Sequence, residues 1–311
     1  MNRRELLVAG VGALASLAAP GASARCPAPL PAPALVAPAI PRGMRIGLAL
    51  GSGSMHGYAH LGVLQEIEAS KLPVEVVAGT SVGALVGALW ASGMDAPAIA
   101  ALARRENLGE LSHLARSWQG LFTSEPMRAP LEAAFRGRPM EKWPRRFGAV
   151  ATNVATGERR LLARGDAATA VLASSAVPVL YRPVMVGGER LADGALVEPV
   201  PVQAARDLGA TFVIAVDVAY RPFEEEADGL AGYAFQAMHI LVNSLSALQL
   251  ASADVALRLN LHRHLVECGR EALVEAGRDA MRRAWPELHG ALLKARGSPA
   301  APASRPAPAR R

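Results

Sequence analysis

Short apolar runs alternate with helical stretches between residues 45 and 90. Residues 45–50 form an apolar run that ends in glycine and serine, and residues 57–70 carry leucine and isoleucine at near-helical spacing. A second apolar run covers residues 74–78, and residues 84–90 predict a buried helix. This order of strand, helix, strand and helix is the βαβ signature of a parallel sheet. The chain is therefore predicted to fold as an α/β protein with a mainly parallel central sheet.

The rest of the chain predicts further elements of the same class. Two hairpins are expected, one joining residues 147–153 to residues 159–162 and one that turns at Gly187 and Gly188. Residues 212–218 form the clearest buried strand. Helices are predicted at residues 166–174, 200–208, 230–250 and 269–284, with one more strand at residues 253–259. Residues 96–145 are predicted to be helical and irregular.

Composition divides the chain into four parts. The N-terminus has a charged start with Arg3 and Arg4, an apolar run too short to span a bilayer, and a small-x-small cleavage pattern. The arginine pair resembles a twin-arginine export signal, and an ordinary secretory signal is the alternative. An exported protein, periplasmic or secreted, is expected. The four parts are a signal peptide at residues 1–24, a proline- and alanine-rich linker at 25–43, one domain at 44–285 and a low-complexity tail at 286–311.

Charge and cysteine usage exclude several classes of protein. The net charge of +6 is carried mostly by arginine, and aromatic residues make up only 5% of the chain. Because no basic stripe is interleaved with aromatics, no nucleic-acid partner is expected. Two cysteines, Cys26 and Cys268, do not make a disulfide framework and are expected to stay unpaired. The cysteines and histidines show no metal-ligand spacing, so no metal or other cofactor is expected.

The run Gly79-Thr80-Ser81-Val82-Gly83 joins the second predicted strand to the second predicted helix. G-x-S-x-G at such a turn is the nucleophile elbow, where a sharp turn presents the serine hydroxyl and the glycines avoid clashes. The helix begins at Ser81, so its N-terminal amides and dipole favour an oxyanion there. The alternative is a turn of small residues without chemistry, because the pentapeptide also recurs by chance in chains rich in alanine and glycine.

Residues 51–57, Gly-Ser-Gly-Ser-Met-His-Gly, form a glycine-rich loop between the first strand and the first helix. Such a loop exposes backbone N–H groups beside a helix N-terminus, which suits an anion. The loop does not match a dinucleotide fingerprint, because His56 stands in place of the third glycine, and it lacks the Gly-Lys-Ser/Thr of a P-loop. Its place one strand before Ser81 favours an oxyanion hole, with a plain structural turn as the alternative.

A base that could activate Ser81 is the remaining requirement. Asp193 precedes Gly194 at the end of a predicted hairpin strand. A triad in the order Ser, Asp, His would need a histidine after the acid. Four histidines come after Asp193, but none of them follows a clear predicted strand. These histidines are His239, inside an apolar helix, and His262, His264 and His289, in charged sequence. A direct dyad of Ser81 and Asp193 therefore competes well with a triad.

Together the three motifs resemble the patatin-like phospholipases, whose order is a glycine-rich loop, G-x-S-x-G and a distal D-G-G/A. The similarity extends across residues 44–285 and is carried by LALGSGSMHGYAHLGVL, VAGTSVG, ATNVATGE, ASSAVPVLYRPV and LADGALVEPVPV. The resemblance implies a three-layer α/β/α fold, with Ser81 as the nucleophile and Asp193 as the base. It also implies an oxyanion hole formed by the amides of Gly53 and Ser54, with Ser52 as a further donor.

The chain departs from the family pattern at four positions. Ser52 and Ser54 replace glycines, which a backbone donor tolerates unless the position demands a positive φ. His56 replaces an arginine, which removes a permanent charge and weakens the case for phospholipid as the preferred substrate. Asn153 replaces an aspartate, which we interpret as a structural change. None of these changes removes a catalytic atom.

The resemblance implies a serine acyl hydrolase that acts on lipid esters, phospholipid or lysophospholipid, with peripheral membrane contact as a further expectation. The alternatives are a general carboxylesterase on small soluble esters and a non-catalytic relative that binds lipid or protein. Residues 96–145 are predicted to gate the site, with ordinary helical packing as the alternative. The apolar residues on which gating would depend are Trp118, Leu121, Phe122, Met127 and Trp143.

Overall fold

The computed structural model describes residues 35–105, 113–114, 122–219 and 229–296. The predicted export signal, Cys26 and part of the predicted linker lie outside these residues, as do Trp118 and Leu121. The side chain of Cys268 is also outside the described part of the chain. The predictions of export and of unpaired cysteines therefore stay predictions.

Ten strands lie in the described part of the chain. They are β1 (Ile46–Leu50), β2 (Val74–Thr80), β3 (His113–Leu114), β4 (Phe122–Thr123), β5 (Arg146–Asn153), β6 (Arg159–Leu162), β7 (Val184–Val186), β8 (Glu189–Asp193), β9 (Phe212–Asp217) and β10 (Val255–Arg258). Eight of them form one sheet in the order β10-β9-β1-β2-β5-β8-β7, with β6 also paired to β5. The five strands from β10 to β5 in this order run parallel, whereas β6, β7 and β8 pair antiparallel.

Helices surround this sheet. The α-helices of the described residues are α1 (Tyr58–Ser70), α2 (Val82–Ala91), α3 (Ala96–Arg105), α4 (Arg128–Phe135), α5 (Ala167–Ser174), α6 (Val202–Asp207), α7 (Gly229–Leu250) and α8 (His262–Arg296). Short 3-10 turns occur at Ser54–Gly57, Glu125–Met127, Met140–Lys142 and Gly194–Leu196. Within α8, Gly269 has φ 77° and ψ −167°, so the segment is two helices joined at a kink.

Alternate residues of β1 face two different helical layers. Ile46, Leu48 and Leu50 are fully buried in the larger core, which β1 shares with α1, α2 and α8. Ala49 is buried in a smaller core on the other face, shared with α6 and α7. Because side chains alternate across a strand, helices cover both faces of the sheet. The predicted α/β fold, with three α/β/α layers and a mainly parallel central sheet, is confirmed.

The local sequence signals predicted most elements at nearly the right bounds. The two predicted hairpins are present as β5 with β6 and β7 with β8, and Gly187 and Gly188 both have positive φ in the second turn. The strand predicted at residues 212–218 is β9, in which all residues are buried. Gly209, predicted to end the helix at residue 208, has φ 99°, a conformation that glycine adopts without strain.

The C-terminal helix is longer than predicted. It passes through Pro286 and ends at Arg296. Leu288 and Leu292 are buried in the larger core, 1% and 0% exposed. The burial of these two side chains stabilises the helix and offsets the loss of the hydrogen bond that a proline removes. The predicted start of the tail at residue 286 is therefore corrected, and the folded body extends to Arg296.

Helix α1 crosses α8 through two glycines. A Cβ atom on Gly62 or on Gly277 would lie 1.9 Å from a backbone carbonyl oxygen of the other helix. Only glycine permits so close an approach. Beside the crossing, the buried carboxylate of Glu66 accepts a hydrogen bond from Arg282 at 2.9 Å. These contacts fix the position of α1, the helix that follows the glycine-rich loop.

The end of the predicted linker packs on the domain. Ala37 donates a backbone hydrogen bond to the carbonyl oxygen of Ser70 at 3.1 Å. The side chains of Ala37 and Ile40 contact the larger core. The described part of residues 25–43 therefore follows the surface of the domain.

Candidate active site

Ser81 occupies a strained turn between β2 and α2. Its backbone angles are φ 56° and ψ −124°, a sparsely populated region for a residue with a side chain. Cβ atoms on the flanking glycines would collide with backbone: at Gly79 with Ala84 Cα at 2.5 Å, and at Gly83 with Leu50 O at 2.1 Å. The structure thus shows the strand, sharp turn and helix that the G-x-S-x-G motif requires.

The backbone of Ser81 is held by a buried serine from another helix. The Ser81 N–H donates to Ser174 Oγ at 3.0 Å, and Ser174 Oγ donates to the carbonyl oxygen of Val150 at 2.6 Å. Ser174 is fully buried at the end of α5. A buried N–H without a partner would cost about 1–3 kcal/mol, so this contact stabilises the turn. Sequence reasoning missed Ser174, although it lies within the ASSAVPVLYRPV segment.

Asp193 lies at the end of β8, where this strand pairs with β5, and is 3% exposed. Its carboxylate accepts hydrogen bonds from the Ser81 hydroxyl and from the Ala195 N–H, the latter at 2.8 Å. Burial raises the pKa of Asp193 to about 6, and the two hydrogen bonds oppose that shift. The carboxylate is thus ionised at neutral pH and lies in contact with the serine hydroxyl.

The histidines of the alternative triad lie on two helices. His239 is half-buried near the middle of α7, and His289 lies in the C-terminal part of α8. The side chains of His262 and His264 are outside the described residues. The side-chain hydrogen bond that the structure assigns to the Asp193 carboxylate comes from Ser81. This contact is the one that a dyad requires, and the dyad itself stays a prediction.

The glycine-rich loop begins with two amides that already have partners. The Gly51 N–H donates to Val216 O at 2.9 Å, which continues the pairing of β1 with β9. The Ser52 N–H donates to Pro199 O at 2.9 Å. The prediction that Ser52 is an oxyanion donor is therefore wrong, because its amide N–H already donates to Pro199. The N–H groups of Gly53 and Ser54 have no hydrogen-bond acceptor among the described residues.

Backbone conformation explains why residue 53 is a glycine and shows that its neighbour Ser54 is strained. A Cβ on Gly53 would lie 2.7 Å from Val218 Cγ2, so glycine is required there. Ser54 has φ 50°, the left-handed region that costs a non-glycine residue about 1–2 kcal/mol. The position does demand a positive φ, so the serine is not a neutral replacement for glycine.

The loop packs directly on the helix that begins after Ser81. A Cβ on Gly57 would lie 2.1 Å from Val82 Cγ2, and a Cβ on Gly83 would lie 2.6 Å from Gly51 O. The first turn of α2 and the loop are thus in backbone contact. His56 is half-buried in the 3-10 turn, and its N–H donates to Gly53 O at 3.0 Å.

The segment after Asp193 connects all parts of the site. The carbonyl oxygen of Pro199 accepts a hydrogen bond from the Ser52 N–H of the loop. The carbonyl oxygen of Glu198 accepts one from Thr80 Oγ1 at 2.8 Å. The Glu198 carboxylate is buried and accepts from the Arg159 guanidinium at 2.9 Å. One stretch of chain therefore carries the aspartate and holds both the loop and the strand that ends in Ser81. Sequence reasoning did not find these contacts.

The predicted gating segment is only partly described. Trp143 is buried between Phe135 and Phe147, with ring centroids 5.1 and 5.7 Å apart. Phe122 is half-buried beside Tyr181. These described aromatics favour ordinary packing over gating.

Two properties of the described residues concern metal binding and membrane spans. No group of three or more histidine, cysteine, aspartate and glutamate side chains there could hold a metal ion. No helix in this part of the chain is long and apolar enough to cross a membrane.

The sequence profile of patatin-like phospholipases matches residues 48–206, just over half of the 311 residues. The matched span contains the glycine-rich loop, Ser81 and Asp193. The chain belongs to the patatin-like phospholipase family. The resemblance seen in the three sequence motifs is thereby confirmed.

Relatives of this patatin-like chain are longer than it is. An uncharacterized NTE family protein of Mycobacterium tuberculosis is 31% identical over 234 residues, covering 70% of this chain and 61% of that protein. Lysophospholipase NTE1 of Yarrowia lipolytica is 31% identical over 183 residues, covering 57% of this chain and 13% of that protein. Among solved structures, VipD from Legionella pneumophila aligns at 15% identity with a TM-score of 0.46, covering 79% of this chain and 67% of VipD.

Proposed function

We propose that this patatin-like protein is a serine acyl hydrolase that cleaves carboxylic esters of lipids. The observation that carries the proposal is the hydrogen bond from the Ser81 hydroxyl to the buried carboxylate of Asp193. A carboxylate that accepts the hydrogen of a serine hydroxyl can take that proton as the serine attacks. The strained turn at Ser81 also places the hydroxyl at the N-terminus of α2, where the helix dipole favours negative charge.

In the proposed reaction, Ser81 Oγ attacks the ester carbonyl carbon while its proton passes to Asp193. The amides of Gly53 and Ser54 donate to the oxyanion that forms, an effect worth roughly 3–4 kcal/mol per donor in a preorganised site. The alcohol leaves with the proton from Asp193, and the acyl group stays on Ser81. Water then gives a proton to Asp193 and attacks the acyl carbon, which frees the acid and returns the proton to Ser81. The scheme uses no metal or other cofactor.

Lipid or lysophospholipid esters are the proposed substrate class. A relative named lysophospholipase NTE1 supports this class. Helix α7 supports it too, because it contains no Asp, Glu, Lys or Arg, whereas a surface helix normally presents charge to water. The large apolar side chains that it exposes are Tyr233, Ile240, Leu241 and Leu248. Gln249 of the same helix accepts a hydrogen bond from the Val200 N–H at 2.8 Å, so the C-terminal end of α7 adjoins the segment after Asp193.

Peripheral contact with a lipid surface through α7 is therefore part of the proposal. Export is proposed as well, on the strength of the arginine pair at Arg3 and Arg4 and the cleavage pattern that ends at Ala24.

The test is hydrolysis of a lysophosphatidylcholine and of p-nitrophenyl butyrate by the purified protein. Ser81→Ala and Asp193→Asn should each lower kcat by about 10⁴-fold or more, because each removes a group that acts in the chemical step. Ser92→Ala, a buried serine at the other end of α2, and Asp95→Asn, an exposed aspartate, serve as matched controls and should keep wild-type kcat.

The other outcomes identify the alternatives. A loss in His239→Asn, His262→Asn, His264→Asn or His289→Asn as deep as that of Ser81→Ala would replace the dyad by a triad. Turnover of the butyrate ester alone would indicate a general carboxylesterase. No turnover of either ester by the wild-type protein would indicate a non-catalytic relative.

A further inference from the structure

His60 lies near the start of α1 and is completely buried. Its ring Nε2 lies 2.8 Å from the carbonyl oxygen of Gly51, the first residue of the glycine-rich loop. Burial lowers the pKa of His60 to about 4, so the ring is neutral at neutral pH. Because a carbonyl oxygen can only accept, Nε2 carries the single ring hydrogen and donates it to Gly51.

The carbonyl oxygen of Gly51 lies where three elements meet. Strand β1 ends just before it, and His60 reaches it from α1. The nucleophile helix α2 contacts the same oxygen, since a Cβ on Gly83 would lie 2.6 Å from it. On the next amide, the Ser52 N–H donates to Pro199 O at 2.9 Å. The peptide group between Gly51 and Ser52 is therefore held at both ends, and His60 is the side chain that holds its carbonyl.

Packing alone does not account for a histidine at this position. Its neighbours Ala59 and Leu61 are buried apolar residues, 0% and 2% exposed. The ring Nδ1 of His60 has no hydrogen-bond partner among the described residues. An unpartnered buried polar atom is destabilising, a cost that an aliphatic side chain of similar size would avoid. The hydrogen bond to Gly51 is the contact that such a side chain could not supply.

We propose that His60 is a positioning residue for the glycine-rich loop. By holding the Gly51 carbonyl, it fixes the orientation of the peptides that follow, and so places the Gly53 and Ser54 amides where the oxyanion forms. The loop needs such a constraint because glycine has the widest backbone freedom of all residues. The inference rests on the proposed acyl hydrolase function, and its test includes a measurement that does not depend on activity.

The test compares His60→Gln with His60→Met. Glutamine can place an amide N–H near the position of Nε2, whereas methionine has a similar length and no donor, so the pair isolates the hydrogen bond. His60→Met should lower kcat by about tenfold or more with little change in KM, because loop geometry matters most in the transition state. His60→Gln should keep kcat within about threefold of wild type.

Hydrogen exchange of the Gly51 and Ser52 amides is the second measurement. Their hydrogen bonds protect these amides, so His60→Met should raise their exchange about tenfold, with His60→Gln and the amides of β9 unchanged. Equal loss of kcat in both variants, or unchanged exchange in His60→Met, would overturn the proposal. A purely structural role would lower the thermal midpoint of both variants and leave kcat of the folded protein intact. An inactive wild-type protein would refute the acyl hydrolase, and exchange would still decide the role of His60.

Discussion

Ser81 and Ser54 both have a positive φ, 56° and 50°, but their surroundings differ. Ser81 is buried, with its N–H bonded to Ser174 and its hydroxyl to Asp193. Ser54 is exposed, and no described residue accepts a hydrogen bond from its N–H. Strain of this kind costs on the order of 1–3 kcal/mol per residue and persists only where the surroundings impose it.

The difference shows what each serine contributes. At Ser81 the contacts fix both the backbone and the hydroxyl, so the strained turn aims one particular side chain. At Ser54 the proposed function needs only the backbone N–H, and the side chain adds strain without a described hydrogen bond in return. Under the proposed function, a positive φ therefore marks an essential side chain at Ser81 and a replaceable one at Ser54.

Removing the support of Ser81 should lower both stability and turnover. Ser174→Ala leaves the Ser81 N–H buried without a partner, which should lower the free energy of unfolding by about 1–3 kcal/mol. It should also lower kcat for a lipid ester by about tenfold or more, because the hydroxyl loses its alignment. Urea denaturation and steady-state kinetics measure the two effects. Ser70→Ala removes another buried serine hydroxyl away from the turn and should affect stability alone. Equal kcat in Ser174→Ala and Ser70→Ala would show that the turn at Ser81 keeps its conformation without the hydrogen bond to Ser174.

Ionisation of Asp193 should control how turnover depends on pH. The base must be ionised to accept the Ser81 proton, so kcat/KM should rise with pH up to about pH 6 and fall about tenfold per pH unit below it.

Stability should change in the opposite sense. The folded pKa of Asp193 lies above its ordinary value of 3.8, so ionisation stabilises the unfolded state more than the folded state. Stability from this group is complete below the unfolded pKa and is lost as pH rises through 6. Asp193→Asn should therefore raise the free energy of unfolding at pH 8, by up to about 3 kcal/mol, while abolishing turnover. A variant that is inactive and also less stable at pH 8 would contradict this account.

Relieving the strain at Ser54 should have the smallest effect. Ser54→Gly removes about 1–2 kcal/mol of strain and adds conformational freedom to the unfolded chain, for a net gain of about 1 kcal/mol or less. Lys71 at the end of α1 has φ 56° and gives the matched control, since Lys71→Gly should show a similar gain. Both variants should keep wild-type kcat. A tenfold drop in Ser54→Gly alone would show that the Ser54 hydroxyl takes part in the reaction.

Local patterns predicted the elements and the turn that they form. The apolar runs gave β1, β2 and β9, and the G-x-S-x-G spacing placed Ser81 between a strand and a helix. Both features depend on residues close together in sequence, where periodicity and glycine sterics act directly. The predicted start of the tail at residue 286 was wrong because Leu288 and Leu292, which come after it, lie in the core.

Contacts between distant segments could not be predicted from one sequence. Ser174 is 93 residues from Ser81, and Glu198 is 118 residues from Thr80. No local pattern pairs a buried serine or a carbonyl oxygen with so distant a donor. The hydrogen bond from the Ser52 amide to Pro199 belongs to the same class, so the sequence alone could not exclude Ser52 as an oxyanion donor. The positive φ at Ser54 likewise follows from the path of the whole loop.

The place of β1 in the sheet has a consequence for the growing polypeptide. Among the described strands, β1 leaves the ribosome first, yet it lies between β2 and β9 in the finished sheet. The partners of the amides at its end, Val216 and Pro199, are translated much later. At a translation rate of roughly 5–20 residues per second, the loop is made on the order of ten seconds before these partners. The earliest-made part of the site is therefore among the last to acquire its native hydrogen bonds.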